Sequence, residues 1–113
     1  MDMTKQFFDQ LAQRGHIPLL EKAQGSVRFD IADGERTDQY LVTIDRGDIR
    51  VSNEAAPAQC VIAADRALFE NIAAGKQNAM AAMLRGAMLV EGDPSFAVLV
   101  QRLFSMQSDV RRS

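Results

Sequence analysis

Residues 25–45 read GSVRFDIADGERTDQYLVTID, and the period of this stretch decides the class of fold. Val27, Phe29 and Ile31 alternate with Arg28 and Asp30, the pattern of a strand with one buried face. Asp33-Gly34 follows, a pair that tolerates the positive φ of a tight hairpin. A second strand from about Thr37 to Asp45 places Tyr40, Val42 and Ile44 on one face. Arg46-Gly47-Asp48 turns the chain again, and Ile49 and Val51 mark a short third strand. After the break at Asn53 to Pro57, Cys60, Val61 and Ile62 mark a fourth. Strands linked this way make an antiparallel meander the economical arrangement.

On both sides of these strands the period is helical. Upstream, Phe7, Phe8 and Leu11 form the apolar stripe of a helix over Thr4 to Arg14, stopped at Gly15. Pro18 biases Ile17 away from helix, and Leu19 to Ala23 has room for one helical turn. Downstream, Asp65 is a candidate N-cap for a helix carrying Leu68, Phe69 and Ile72, ended by Gly75. Asn78 starts a further helix with Met80, Met83 and Leu84, closed by Gly86. Met88 and Val90 alternate with Leu89 and Glu91 as a fifth strand. Asp93 as N-cap and Pro94 at the first helical position then open a last helix. Its Phe96, Leu99, Val100, Leu103 and Phe104 form a full apolar stripe. Strands grouped before helices argue for α+β and not for alternating βαβ units. A single domain over 1–113 is expected, with a core of about 4–106 and a mobile polar tail over 107–113.

Composition narrows the function classes. The 113 residues are 47% hydrophobic and 25% charged, with a formal charge of -2, ordinary values for a globular domain. Mixed charge of small net sign excludes a dedicated nucleic-acid binder. The single cysteine and single histidine, Cys60 and His16, forbid an intramolecular disulfide and leave too few soft ligands for a structural zinc site. No apolar run approaches the roughly 20 residues of a membrane span. The N-terminus lacks a signal peptide's basic and apolar regions, so a cytoplasmic location is expected.

Residues that carry chemistry are few. His16 lies in a connector with no Ser or Cys motif beside it, the setting of an ordinary loop histidine. Cys60 sits in a predicted apolar strand, where thiols are inert. Asp45, Asp48 and Glu54 fall in turns, where carboxylates are solvated. Arg50, Arg66 and Arg85 fit either a solvated face or contact with an anionic headgroup. The glycines lack the spacing of a phosphate loop. Neither catalytic residue, nor metal, nor cofactor is expected. The unusual feature is methionine: 6 in all, with Met80, Met83, Met88 and Met106 in the last third. Methionine fills irregular cores and also lines adaptable apolar surfaces, and composition does not separate the two.

Taken in order, Ile72-Ala73-Ala74-Gly75-Lys76-Gln77-Asn78, Met80, Met83-Leu84-Arg85-Gly86, Val90-Glu91-Gly92-Asp93 and Leu103-Phe104 resemble the sterol carrier protein type two family of lipid-transfer domains. The family's C-terminal half has a helix, an A-A-G-K-x-N step, a short helix ending in Gly, a strand with x-x-G-D/N and an amphipathic helix. Asp48 to Val51 and Cys60 to Ala63 suit its middle strands. Where the family often has Pro after the Asn and an aromatic later in the short helix, this chain has Ala79, with Ala82 and Met83 further on. That smaller, softer wall implies a cavity of different shape.

The resemblance implies a five-stranded, mainly antiparallel sheet covered on one face by helices, with an apolar tunnel between the layers. It implies non-catalytic binding or transfer of a hydrophobic lipid: fatty acyl, sterol-like, or an isoprenoid quinone precursor. Candidate lining residues are Phe69, Ile72, Met80, Met83, Met88, Phe96, Leu99, Val100, Leu103 and Phe104, some of which must instead be permanent core. The segment around Met106 is placed to gate the opening. Expected partners are the lipid, a transient membrane contact, and a second copy or a biosynthetic enzyme, but no nucleic acid. The alternative from another class is a protein-interaction or dimerization module with no tunnel, in which the Met-rich surface meets a partner.

Overall fold

The computed structural model describes residues 3–54, 56–93 and 95–96. Helix α1 (Met3–Arg14) buries Thr4, Phe7, Phe8 and Leu11 and ends at Gly15, whose φ of +67° turns the chain away. A 3-10 turn at Pro18–Leu20 takes the place of the predicted turn over Leu19 to Ala23. The chain then forms β1 (Gln24–Asp33), β2 (Arg36–Asp45) and β3 (Asp48–Ser52). β1 pairs antiparallel with β2 over the full length of both, and β2 pairs antiparallel with β3 only over Leu41–Asp45. Both hairpin loops have two residues. Gly34 takes φ +66° in the first; in the second Arg46 and Gly47 take +51° and +91°, the double left-handed conformation of a type I′ turn.

The fourth strand corrects the meander. β4 (Cys60–Asp65) does not follow β3 at the edge; it crosses to the other side of β1 and pairs parallel to it, Val27 opposite Cys60 and Ile31 opposite Ala64. Cys60, Ile62 and Ala64 thereby join Val27, Phe29 and Ile31 on one buried face, which an edge position beside the short β3 would not provide. β5 (Leu89–Gly92) pairs antiparallel with β4, so the sheet order is β3-β2-β1-β4-β5. The sheet is five-stranded and mainly antiparallel, as expected. Met88 precedes β5 instead of opening it.

Helices α2 (Arg66–Ala73) and α3 (Ala79–Leu84) are the other described helices. Asp65 is the N-cap of α2, but its carboxylate makes no capping bond. Asn78 does cap α3: its side chain accepts from the Ala81 N–H at 3.0 Å. Between α1, α2 and the sheet, Phe7, Phe8, Phe29, Tyr40 and Phe69 interlock. Phe8 stacks on Tyr40 at 4.1 Å and on Phe69 at 5.5 Å, with edge contacts to Phe7 and Phe29 at 5.2 Å each. Such offset and edge geometries add to the area these rings bury. Pro94, Leu99, Val100, Leu103, Phe104, the segment around Met106 and the tail over 107–113 lie outside the described residues.

Candidate functional site

The candidate apolar site is built on the α2–α3–β5 side. The αL glycine Gly75, at φ +79°, ends α2. The chain re-enters helix at Asn78, and Ala79 and Ala82 turn inward because they are small enough to sit against the core. This leaves Met80 and Met83 half-buried on the flanks of α3, Met83 in contact with the core cluster. Leu84, at the end of α3, is 83% exposed, and Leu89, in β5, is 56% exposed. Val90, on the opposite face of β5 from Leu89, packs against the core beside Ile62.

Phe96 is placed by backbone detail. Gly92, at φ +102°, brings the chain so close to Gln59 that any β-carbon would run into the Gln59 carbonyl. The Asp93 N–H donates to that same carbonyl at 3.0 Å. The Asp93 carboxylate accepts from the Ser95 N–H at 3.0 Å and from its hydroxyl at 2.8 Å. These bonds hold the Asp93 carboxyl below its usual range and start the helical turn at Ser95. The Phe96 ring then occupies the space where a side chain on Gly25 would be. A larger residue at 25 would evict it.

Of the candidate lining residues, Phe69, Ile72, Met88 and Phe96 are buried, none more than 4% exposed. Phe69 belongs to the aromatic cluster, with rings of Phe7, Phe8 and Phe29 at 5.3, 5.5 and 6.0 Å. Met80 and Met83 lie together on α3, toward the surface. Two apolar residues of this region stand outside the lining set read from the sequence, Leu84 and Leu89. Leu84 belongs with Met80 and Met83 to the apolar set of its helix, and Leu89 alternates with Met88 and Val90, which puts it on the other face of β5.

Reactive chemistry is muted. Burial, with the Asp93 charge adding, pushes the Cys60 thiol up and keeps it protonated. Arg66 is half-buried and paired with carboxylates: it meets Asp33 at 3.2 Å, Glu70 at 3.4 Å and Asp38 at 3.9 Å. Asp48 is held by His16 at 2.8 Å and Asp45 accepts from Gln24 at 3.0 Å, so these turn carboxylates serve local structure. Among the described residues no group of His, Cys, Asp and Glu is arranged to hold a metal. No described helix is long and apolar enough to cross a membrane.

The fold is shared with solved structures. The sterol carrier protein domain 2 of Helicoverpa armigera superposes with a TM-score of 0.77 at 14% identity, over 95% of this chain and 89% of that one. The apo sterol carrier protein 2 of Yarrowia lipolytica gives 0.71 at 17%, over 90% and 89%. The sterol carrier protein-2 of Aedes aegypti, solved as its palmitate complex, gives 0.72 at 17%, over 91% and 94%. No curated protein sequence is similar. The family model of the SCP-2 sterol transfer family, however, matches residues 5–105, nearly the whole chain, and the chain belongs to that family.

Proposed function

We propose that the chain is a non-catalytic carrier of a hydrophobic lipid, held on the α3–β5 side between the sheet and the helices. The observation that carries this reading is the apolar surface on α3: Leu84 largely exposed beside half-buried Met80 and Met83. At the other end of the layer the space is taken by five interlocked aromatic rings, so the lipid enters where flexible side chains, not rigid rings, form the wall. Met80, Met83, Met88, Phe96, Leu99, Val100, Leu103 and Phe104 are the proposed lining, with Ile72 as its floor, while Phe69 belongs to the permanent aromatic core. Membership of the SCP-2 sterol transfer family and the palmitate held by the Aedes aegypti protein support this reading. A chain of about 16 carbons gains on the order of 10 kcal/mol from leaving water, before the cost of ordering it. The softer wall at Ala79, Ala82 and Met83 favours fatty acyl or isoprenoid chains over the rigid sterol plate.

The test is native mass spectrometry with organic extraction, on protein purified without detergent. A stoichiometric lipid is expected, and its mass separates acyl chains, sterols and polyprenyl quinones. Met83→Arg should purify empty, because a charge would stand in the apolar wall. The same exposed Leu84 would also suit a protein-interaction module. An empty wild-type protein that takes up no fluorescent fatty acid would establish that reading instead.

A further inference from the structure

One stretch of the chain is free of acid. Residues 71–90 hold two cations, Lys76 and Arg85, and no Asp or Glu, while the other 11 cations share the remaining chain with all 15 acids. This stretch therefore carries a charge of +2 and the rest of the protein -4. The two acids that flank it are engaged or turned away. Glu70 accepts from Thr4 at 3.2 Å and meets Arg66 at 3.4 Å. Glu91 shares the far face of β5 with Leu89, in the row of Val61 and Arg28. Lys76 and Arg85 are exposed, and neither forms an ion pair among the described residues.

These cations bracket α3. Ala79 and Ala82 turn inward, so Leu84, two residues past Ala82, points nearly the opposite way. It is 83% exposed, and Ala81, Arg85, Gly86 and Ala87 around it are exposed as well. A β-carbon added at Gly86 would meet nothing within 4 Å, so the end of the helix stands clear. The result is a projecting tip of small side chains about one leucine, with a cation before the helix and another at its end. A protein partner is gripped through aromatic or arginine anchors seated in pockets, and the tip offers none. A bilayer asks for no matching shape: it takes an apolar side chain into the acyl boundary and draws cations to its phosphates.

We propose that this tip docks on the surface of an anionic bilayer, Leu84 entering the acyl boundary while Lys76 and Arg85 meet lipid phosphates. Opposite charge supplies orientation as well as attraction. The field of anionic headgroups draws the basic stretch and repels the acidic remainder, so the protein arrives with α3 first. Half-buried Met80 lies one turn before Leu84 on the same side of the helix and extends the apolar contact. The proposal rests on the carrier reading and names its partner: docked this way, the entry for lipid faces the membrane that supplies or receives it.

The probe is a pair of vesicles, phosphatidylcholine alone and phosphatidylcholine with about 30% phosphatidylglycerol, floated with the full chain at low salt. Binding to the anionic vesicles alone is expected, weakened about tenfold or more in roughly 0.5 M sodium chloride. Lys76→Glu with Arg85→Glu should weaken it about 25-fold or more, each cation accounting for roughly fivefold. Arg14→Glu with Lys22→Glu makes an equal change of net charge at exposed sites elsewhere and should weaken it less than about threefold. Leu84→Gln should weaken it about fivefold. All these side chains are exposed, so melting temperatures should stay within about 2 °C of the wild type. The chain has no tryptophan, so Leu84→Trp places a single indole at the tip, and its emission should shift to the blue on anionic vesicles only. Docking is overturned by an absence of flotation, by equal binding to neutral vesicles, by binding that survives the Lys76 and Arg85 reversal, or by unshifted emission. A homodimer that Leu84→Gln converts to monomer would overturn it in favour of self-association. A protein that carries lipid but ignores anionic vesicles overturns docking alone, whereas one that docks but yields no lipid on extraction overturns the carrier reading alone.

Discussion

His16 pins the connector between α1 and β1 to the β2–β3 turn. Its Nδ1 lies 2.8 Å from Asp48 Oδ1 and its Nε2 lies 3.8 Å from Glu21 Oε1. The backbone repeats the tie: the Ile17 N–H donates to the Gly47 carbonyl at 2.8 Å, and the Ile49 N–H to that of Gly15 at 2.6 Å. Gly47 is required there, because at φ +91° a β-carbon would stand 2.9 Å from the Ile17 carbonyl. The hydrogen bond to Asp48, helped by the Asp48 and Glu21 charges and opposed by slight desolvation, raises the His16 pKa above its usual 6.5. A folded-state value above the unfolded one means the stabilisation is complete below about pH 6.5 and is lost as pH rises through the folded value. Thermal stability should therefore fall more between about pH 6 and 8 in the wild type than in His16→Gln. Asp48→Asn should bring the His16 NMR titration midpoint down; an unmoved midpoint would refute the assigned cause. With the ring half-exposed, the effect on stability is small.

Elements here owe their form to docking. α1 has 12 residues, too few to persist alone in water, so its helicity rests on what Phe7, Phe8 and Leu11 bury. Phe8 is the hub, in ring contact with Phe7, Phe29, Tyr40 and Phe69 and thereby with α2 and two strands. Phe8→Ala should cost about 3–5 kcal/mol, a large part of the stability of a domain this size. In urea unfolding, helical and near-ultraviolet signals should be lost together at a much lower midpoint. A loss below about 1 kcal/mol would show that the rings repack around the hole. α3 is held differently. It has 6 residues, an Asn78 cap and only Ala79 and Ala82 buried, so it has the least burial to lose if it shifts for a ligand.

Across the whole molecule, rigid packing and adaptable apolar surface occupy opposite ends of the helical layer. Aromatic rings join α1 and α2 to the sheet at one end, and Met80, Met83 and the exposed Leu84 stand at the other. If the exposed end receives lipid, Leu84→Gln should weaken fluorescent fatty-acid uptake about fivefold or more. The melting temperature should move by no more than about 2 °C, because surface changes of this kind cost little folding energy. Titration beside a thermal melt decides this: unchanged uptake would exclude that surface as the entry.

Much of this molecule is legible in the chain itself. The period of two in Val27-Phe29-Ile31 and Tyr40-Val42-Ile44, the loops at Gly34 and Gly47, and the stripe of Phe7, Phe8 and Leu11 define strands, hairpins and α1. They do so because local patterning follows directly from which side chains must leave water. The family, too, was written in the ordered pieces from Ile72 to Phe104, and the match over residues 5–105 agrees with it. What the chain did not disclose is pairing between distant segments. That Cys60–Asp65 crosses to lie parallel with β1 depends on how much apolar face each side of the sheet has to cover, a sum over residues far apart in sequence. Nor did it show which of its apolar residues are permanent core. Phe69 and Leu84 look alike as members of helical stripes, and only the packing of the layers buries the first among rings and leaves the second in water.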